Sequence, residues 1–231
     1  MELLKKAARA STIAIFVFVS LALINTLALD QEQIISSWLA QQTNVQTWAA
    51  EFLQTRSLKA LAQPLVSTGR VWFAAPQNFR WELGQNQTIA IRNNETMLVM
   101  YPRLKRAEKY DFQTAGPSEW KDSLSLLQSG FPRSRADIDQ QFKILSLSQT
   151  NHLYQLALQP KSAGARKMMP QINVFIGTNS TLAGTELVFV DGSRMRNDFR
   201  NIQTNTPVEG KFDLTLPPDY KLVEPMKTNR K

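Results

Sequence analysis

The sequence predicts an α+β domain built on about ten or eleven antiparallel strands with two or three helices. From Val66 onward, apolar residues alternate with polar ones in short runs, which is the period of strands with one buried face. Short stretches rich in Gly, Asn and Pro separate these runs and are typical of hairpin turns. A chain of 231 residues is long enough for one core, so we expect a single domain.

The N-terminus is typical of an export signal. The basic start "MELLKKAARA" precedes an uncharged run over residues 11–29, with Thr26 and Ala28 as small-residue cleavage positions. We therefore predict a signal peptide over residues 1–28 and a single domain over residues 29–231. The uncharged run is also long enough to span a bilayer as an uncleaved anchor, so both interpretations stay open.

Charge and cysteine content narrow the class of protein. Without residues 1–28 the chain has 24 basic and 18 acidic residues, a net charge of +6. A net positive charge on an exported protein favours binding to anionic lipid headgroups or to an acidic partner. The alternative is that the charge serves solubility alone. Export argues against a nucleic-acid partner. The chain has no cysteine, which excludes disulfides and a thiol nucleophile.

The first element after the signal is predicted to be a helix within residues 30–62, with Asp30 as its N-cap. The stretch "WAAEFLQTRSL" fits either a continuation of that helix or the first strand. Apolar residues at helical spacing support the helix at its start: Ile34, Ile35, Trp38 and Leu39.

Strands and an insertion follow in turn. The first five strands are expected near residues 66–74, 79–84, 87–92, 96–101 and 105–112. A helical insertion begins at Ser118, with Trp120 on its apolar face, and "SGFPRSRADIDQQ" is a loop or a short second helix. Five more strands are expected near residues 141–148, 152–159, 171–177, 184–190 and 194–203, and a last short one in the tail that begins "KFDLTLPP".

Catalytic patterns are absent from the sequence. His152 is the single histidine, and a zinc site would need more Cys, His or acidic ligands than this pattern offers. Asp137 and Asp139 are spaced as helix-end charges rather than as a catalytic pair. No nucleophile elbow, P-loop or dinucleotide-binding glycine pattern occurs. We predict a protein that is not an enzyme and needs no cofactor; a lipid hydrolase is the alternative from another class.

The stretch "GRVWFAAPQNFRWEL" places an unusual amount of ring surface on two consecutive strands. Such a surface is either ordinary core or the lining of a cavity for an apolar ligand, and periodicity alone leaves both open. The apolar residues that exceed what the few helices are expected to cover are Phe73, Phe79, Trp81, Ile89, Ile91, Leu98 and Met100.

The order of these segments resembles the LolA family of periplasmic carriers of outer-membrane lipoproteins. The likeness covers roughly residues 32–224. It is sharpest in the Gly-x-(apolar)-Trp-x-x-x-Pro-x-x-Phe-x-Trp run at residues 69–81, in the strand–turn–strand that ends at Pro102, and in "FDLTLPP" at residues 212–218.

The resemblance implies a curved, incompletely closed antiparallel half-barrel whose concave apolar face is capped by helices. It further implies a monomeric periplasmic protein that takes acylated lipoproteins or lipids from an inner-membrane ABC-type release complex and passes them to an outer-membrane receptor. The seven apolar residues then line an acyl-chain cavity, with Trp38 and Trp120 as contacts of the helical lid.

One position departs from the family pattern. Family members carry an arginine just before the proline of the motif, where it holds the lid, whereas this chain has Ala75. Arg70 and Arg80 are candidates to replace it. The departure leaves two related functions open: a carrier of another lipid or acylated molecule, and a membrane-tethered sensor or scaffold of the same fold.

Overall fold

A computed structural model describes residues 31–85, 87–93, 96–111 and 132–225. Twelve strands, β1 to β12, form one sheet in these residues. In chain order they are Thr47–Ser57, Leu65–Ala74, Asn78–Leu83, Thr88–Asn93, Thr96–Tyr101, Arg106–Asp111, Phe142–Thr150, Leu153–Pro160, Gln171–Gly177, Leu182–Val188, Arg194–Thr204 and Lys221–Val223.

The sheet is open and curved, with spatial order β12-β6-β5-β4-β3-β2-β1-β11-β10-β9-β8-β7. Neighbouring strands are antiparallel, except that β12 runs parallel to β6. Hairpins build each half, and the pairing of β1 with β11 joins the two halves. Register shifts place an extra residue in β7, β10 and β11, which marks bulges that increase the local bend and twist of a sheet.

Three α-helices are described: α1 over residues 31–43, α2 at Arg135–Gln141 and α3 at Ala163–Met168. Ile35, Trp38 and Leu39 form the buried stripe of α1, at the spacing of one helical face. α2 begins with a capping box in which Ser134 and Asp137 each bond the other's backbone N–H. A single 3₁₀ turn, Pro102–Leu104, connects β5 and β6.

The two faces of the sheet are covered by different parts of the chain. We call the face on which α1 packs the inner face; its core includes Trp48, Phe52 and Val174. On the opposite, outer face, a smaller cluster over β4–β6 packs against the segment that follows β11. That segment, residues 212–220, contributes Phe212, Leu214, Leu216 and Tyr220.

The structure confirms the strand-rich antiparallel fold and corrects details of it. The stretch from Trp48 is strand β1, which settles the helix-or-strand alternative, and "RADIDQQ" is helix α2. The last strand was expected before the double proline; residues 212–216 instead pack without ladder pairing, and β12 follows at Lys221–Val223. Helix α3 was not predicted from the sequence.

Three predictions fall outside the described residues: the signal peptide over residues 1–28, Asp30 as the N-cap of the first helix, and the helix beginning at Ser118. Within the described parts of the chain, no helix is long and apolar enough to cross a membrane.

Candidate functional site

The inner face presents a continuous aromatic surface across β1, β2, β3 and β11. Trp48 meets the Phe199 ring edge-on, with 5.0 Å between ring centroids. Phe52 packs on Trp81 in a tilted arrangement, with ring centroids 4.0 Å apart and an interplanar angle of 30°. Phe52 is buried, whereas Trp81 and Phe199 are only partly buried. The rings of Trp48 and Phe52 on β1 therefore belong to the core, whereas the rings of Trp81 and Phe199 on either side of β1 are incompletely covered.

Gly69 makes the contact between Phe52 and Trp81 possible. It lies opposite Phe52 on β2, and a Cβ atom there would lie 2.2 Å from Phe52 Cζ and 2.3 Å from the Glu82 carbonyl oxygen. Real Cβ atoms do not approach other atoms so closely, so any side chain at this position would displace the ring. The glycine at the start of the "GRVWF" motif thus leaves space for an aromatic ring from the neighbouring strand.

Three of the seven predicted lining residues share this inner face. Phe73 and Phe79 are opposite each other in the β2–β3 register, and Trp81 is opposite Val71. Phe73 and Phe79 are buried in the main core cluster, and Trp81 packs against it. The structure therefore brings Phe73, Phe79 and Trp81 together; a ligand-binding role for them stays a prediction.

The other four predicted lining residues lie on the outer face, so the seven do not line one cavity. Phe79 pairs with Arg92 and Trp81 with Ala90, which turns the alternate residues of β4 to the opposite face. The β4–β5 register carries the same alternation into β5. The four residues pack against the segment 212–220 instead: Ile89, Ile91, Leu98 and Met100.

Trp38 is the lid candidate that the structure places against the inner face. Its side chain is 0% exposed and belongs to the main core cluster. Its indole N–H finds no acceptor among the described residues. Trp120, the other predicted lid contact, lies outside the described residues.

Arg70 and Arg80 cannot replace the missing lid arginine, because both lie on the outer face. Both pair with Glu82: Arg80 Nε is 2.6 Å and Arg70 Nη2 3.6 Å from its carboxylate oxygens. Arg80 also donates to the Lys211 carbonyl at 3.3 Å, so it contacts the segment after β11 rather than α1. In the sequence motif they lie six residues before and four residues after Pro76, which does not reveal the face of the sheet to which they point.

Two other arginines contact α1 and its C-terminal turn. Arg135 Nη1 donates to both Glu32 carboxylate oxygens, at 2.7 and 2.5 Å. Arg133 Nη2 donates to the Val45 carbonyl at 3.0 Å, and its own carbonyl accepts from Thr43 Oγ1 at 3.1 Å. These contacts were missed by the sequence analysis, because the two arginines are about 90 positions away from α1 in the chain.

Asn205 fixes the turn between α1 and β1. Its side-chain oxygen accepts from the Gln46 N–H at 2.8 Å, and its amide donates to the Asn44 carbonyl at 3.1 Å. Its φ of 55° lies in the left-handed region, which asparagine tolerates better than most residues. Ala75 donates its backbone N–H to the Gln46 carbonyl at 2.8 Å, so the position where the family has arginine adjoins the same turn.

A short polar chain interrupts the apolar inner face at the far end of β1. Gln54 Nε2 donates to Asn197 Oδ1 at 3.0 Å, and Asn197 Nδ2 donates to Thr185 Oγ1 at 3.3 Å. Both amide side chains are buried. Their hydrogen bonds to each other meet the requirement that buried polar groups be paired.

A second polar group lies on the inner face of β6. Tyr110 donates its hydroxyl to Glu108 at 2.7 Å, and Arg106 donates to the other carboxylate oxygen of Glu108 at 2.7 Å. Burial, the hydrogen bond to Glu108 and the charge of that carboxylate raise the pKa of Tyr110 above its usual value near 10. The hydroxyl therefore remains protonated and acts as a donor at neutral pH.

The described residues contain no cluster of His, Asp and Glu that could bind a metal ion. His152 lies exposed in the β7–β8 turn, at a φ of 63°. Asp137 caps α2, and Asp139 pairs with Arg135 at 3.0 Å. Chemically, the inner face of the described part offers apolar and aromatic contacts with a few hydrogen-bonding groups.

Comparison with known structures gives distant likenesses. An uncharacterized conserved protein from Thermus thermophilus matches at 8% identity with a TM-score of 0.49, covering 84% of this chain and 99% of that one. A LolA superfamily protein from Nitrosomonas europaea matches at 8% identity and a TM-score of 0.41, covering 79% and 96%. The lipoprotein LppX from Mycobacterium tuberculosis matches at 10% identity and a TM-score of 0.40, covering 78% and 97%.

The sequence itself gives a clearer assignment. A search of curated proteins finds no match. The family model described as outer membrane lipoprotein carrier protein LolA matches residues 43–215, which is most of the chain and runs from the end of α1 through all strands up to β11. The chain therefore belongs to the LolA family.

Proposed function

We propose that this protein is a non-enzymatic periplasmic carrier that binds acyl chains of lipoproteins on its inner face and shuttles them from the inner to the outer membrane. The observation that carries the proposal is the aromatic inner face, where Trp81 and Phe199 remain partly uncovered beside a buried core. Membership of the LolA family supports a lipoprotein as the source of the acyl chain. In this proposal the carrier acts as a monomer.

The energetics of acyl chains set the requirement for such a carrier. Each CH₂ group removed from water gains roughly 0.8 kcal/mol, so a chain of about sixteen carbons gains on the order of 12 kcal/mol. A carrier must recover much of this free energy, or its cargo stays in the membrane. It must also release the cargo, which requires that the covering element move at small cost.

Helix α1 has the properties of such a cover. Its polar attachment consists of a few hydrogen bonds and the ion pair between Glu32 and Arg135, whose side chains are 58% and 42% exposed. Exposed ion pairs of this kind contribute little to stability. The main cost of opening is therefore the exposure of the buried apolar stripe of α1, which contact of the inner face with an acyl chain offsets. We propose that Arg133 and Arg135 take the place of the family's lid arginine.

The partners follow from the family and belong to the same proposal. An inner-membrane ABC-type complex would release the acylated lipoprotein to this protein, and an outer-membrane receptor would accept it. In this proposal the transfer needs no cofactor in this chain, because movement of α1 alone opens the inner face for the cargo to enter and to leave.

The test is binding of a fluorescent fatty-acyl probe to the purified protein. Trp81→Ala removes a large part of the partly covered ring surface, and we expect it to weaken probe binding at least about tenfold, since an aromatic side chain buries roughly 150–250 Å². Ile91→Ala is the matched control, because Ile91 is equally apolar but lies on the outer face. Equal weakening in both variants, or no binding by the wild type, would contradict the proposal.

A further inference from the structure

The connections between strands divide into two groups with different charge. The strand register places four connections at one end of the sheet, together with the uncharged β3–β4 turn. They are the connections β1–β2, β5–β6, β8–β9 and β10–β11. This follows because Arg194 pairs with both Ser57 and Val188, and Val188 also pairs with Gln171. We call the residues of the first four connections, 58–64, 102–105, 161–170 and 189–193, the basic end.

Positive charge is concentrated at the basic end. Its four connections contain six basic residues, and Asp191 is their one acidic residue. Asp219, which precedes β12, pairs with Lys105 at 2.9 Å. With Asp191 and Asp219 subtracted from the six basic residues, a net charge of +4 remains. The described hairpin turns and the α1–β1 turn at the opposite end, 44–46, 75–77, 151–152 and 178–181, contain no Asp, Glu, Lys or Arg. The longer segments that adjoin this end, 132–134 and 205–211, add Arg133, Glu209 and Lys211, a net charge of +1. The six basic residues are Lys59, Arg103, Lys105, Lys161, Arg166 and Lys167.

Exposed apolar side chains are concentrated at the same end. Leu104 is 70% exposed in the β5–β6 turn, Val190 is 71% exposed in the β10–β11 turn, and Leu61 is 46% exposed in the β1–β2 connection. Residues 59–66 are all exposed and include Leu65 and Val66 at the start of β2. Of the seven large apolar side chains exposed in the described residues, these five lie at or beside the basic end.

From these two observations we infer that the basic end docks on the surface of an anionic lipid bilayer, with the side chains of Leu61, Leu104 and Val190 inserted among the lipid headgroups. Projecting apolar side chains surrounded by Lys and Arg are the combination that favours anionic membrane interfaces, because insertion and charge attraction act together. Leu61, Leu104 and Val190 lie on three separate turns, an arrangement that favours insertion at several points of a bilayer surface over one contact patch on a protein partner. Membrane docking of the basic end needs no ligand on the inner face, so it can be tested independently of the carrier function.

The charge of the basic end is available to lipid. Arg103 and Lys167 are exposed in their connections. Lys161 and Arg166 donate to backbone carbonyls of Asp139, Pro160 and Lys161, which leaves their positive charges uncompensated. Screening by salt shortens the range of this attraction to about 8 Å at physiological ionic strength, so the docking requires close approach.

The experiment measures which end of the sheet meets the bilayer. The chain has no cysteine, so Leu104→Cys and Thr178→Cys each give one labelling site on the full-length protein, at opposite ends of the sheet. Each variant is labelled with an environment-sensitive NBD fluorophore and mixed with vesicles that contain phosphatidylglycerol or with vesicles of phosphatidylcholine alone. Because residues 11–29 can bind a bilayer themselves, the comparison between the two labels is the readout rather than binding alone.

We expect the label at position 104 to brighten and shift to shorter wavelength on phosphatidylglycerol vesicles, and the label at position 178 to change little. Reversing three charges, with Lys59→Glu, Arg103→Glu and Lys167→Glu together, should reduce the response at position 104 at least about tenfold. Equal responses from both labels, or a response indifferent to lipid charge, would overturn the inference. No response from either label on either kind of vesicle would overturn it as well, and would leave a protein partner as the occupant to test. If the triple variant fails to fold, the comparison of the two lipids still decides.

Discussion

At the scale of single residues, Gly69 determines how closely two aromatic side chains can pack on the inner face. Phe52 occupies the space above it and stacks on Trp81 at 4.0 Å. The conformational freedom of glycine is not the reason for its presence, because a strand residue with negative φ tolerates alanine. The reason is the space between Phe52 and the Glu82 carbonyl.

Gly69→Ala should therefore destabilise the protein by about 3 kcal/mol, the upper part of the range for overpacked sites, because the backbone oxygen of Glu82 cannot move aside. Urea unfolding followed by circular dichroism measures the change. The same variant should lose acyl-probe affinity, since displacement of Phe52 disturbs its contact with Trp81. An unfolding free energy within about 0.5 kcal/mol of wild type, the range of an ordinary surface substitution, would show that the ring has other space.

Tyr110 gives the molecule a dependence on alkaline pH. Burial, its hydrogen bond to Glu108 and the negative charge of that carboxylate raise its pKa in the folded state. In the unfolded state the same hydroxyl ionises with a pKa near 10. The stabilisation from the protonated hydroxyl is thus fully present below that pH and is lost as the pH rises toward the folded-state pKa.

Tyr110→Phe should reduce the loss of stability between about pH 10 and about pH 11, because phenylalanine has no proton to lose. The measurement is the slope of the unfolding free energy against pH for the variant and the wild type. At neutral pH the variant should be less stable by about 1 kcal/mol, the cost of one hydrogen bond. Identical slopes in the alkaline range would contradict the assignment.

At the scale of elements, α1 combines a buried stripe with a weak attachment at its polar side. Its apolar residues Ile35, Trp38 and Leu39 belong to the main core, while Glu32 is paired on the surface with Arg135. The spacing of the apolar residues was readable from the sequence. The partners of its polar side were not, because Arg133 and Arg135 approach α1 from a distant part of the chain.

The ion pair between Glu32 and Arg135 should contribute a coupling energy of only about 0.5 kcal/mol in a double-mutant cycle with Glu32→Ala and Arg135→Ala. Its loss should nevertheless speed entry of the acyl probe, because α1 then opens more often. Stopped-flow fluorescence measures the entry rate, and high salt should have the same effect on the wild type. Arg70→Ala is the control, since Arg70 lies on the outer face and should leave the rate unchanged. A slower entry rate in Arg135→Ala would contradict the role of this pair.

At the scale of the whole molecule, the sequence predicted the sheet better than the site. Hairpin turns and the two-residue period located the strands to within a few positions, because each strand is bounded by local turn residues. The side of the sheet was predicted correctly for Phe79 and Trp81, which lie in one strand. The predicted side was wrong for Ile89 and Ile91 in the next strand. The face on which these side chains lie depends on the register across the β3–β4 turn, and composition does not determine that register.

The outer cluster also shows why an apolar surplus does not by itself indicate a ligand. Ile91, Leu98 and Met100 are covered by the chain's own C-terminal segment, in which Phe212, Leu214 and Leu216 alternate with polar residues. Partly buried rings occur on both faces, since Phe212 and Tyr220 pack against the outer cluster. The inner face differs in that its partly buried rings, Trp81 and Phe199, contact core rings on the face that α1 covers. In the proposed carrier, this cover by α1 and the family assignment favour the inner face for the acyl chain.

The most direct test of this account is photocrosslinking with a diazirine-bearing fatty acid, followed by mass spectrometry of the labelled peptides. We predict labels on inner-face residues, above all Trp81, Val99 and Phe199, and a large reduction when unlabelled acyl chain competes. The peptides that contain Ile91, Leu98 and Leu214 are internal controls on the outer face and should remain unlabelled. Labelling concentrated on those outer-face peptides, or labelling that acyl chain does not compete away, would contradict the central claim that the inner face binds the cargo.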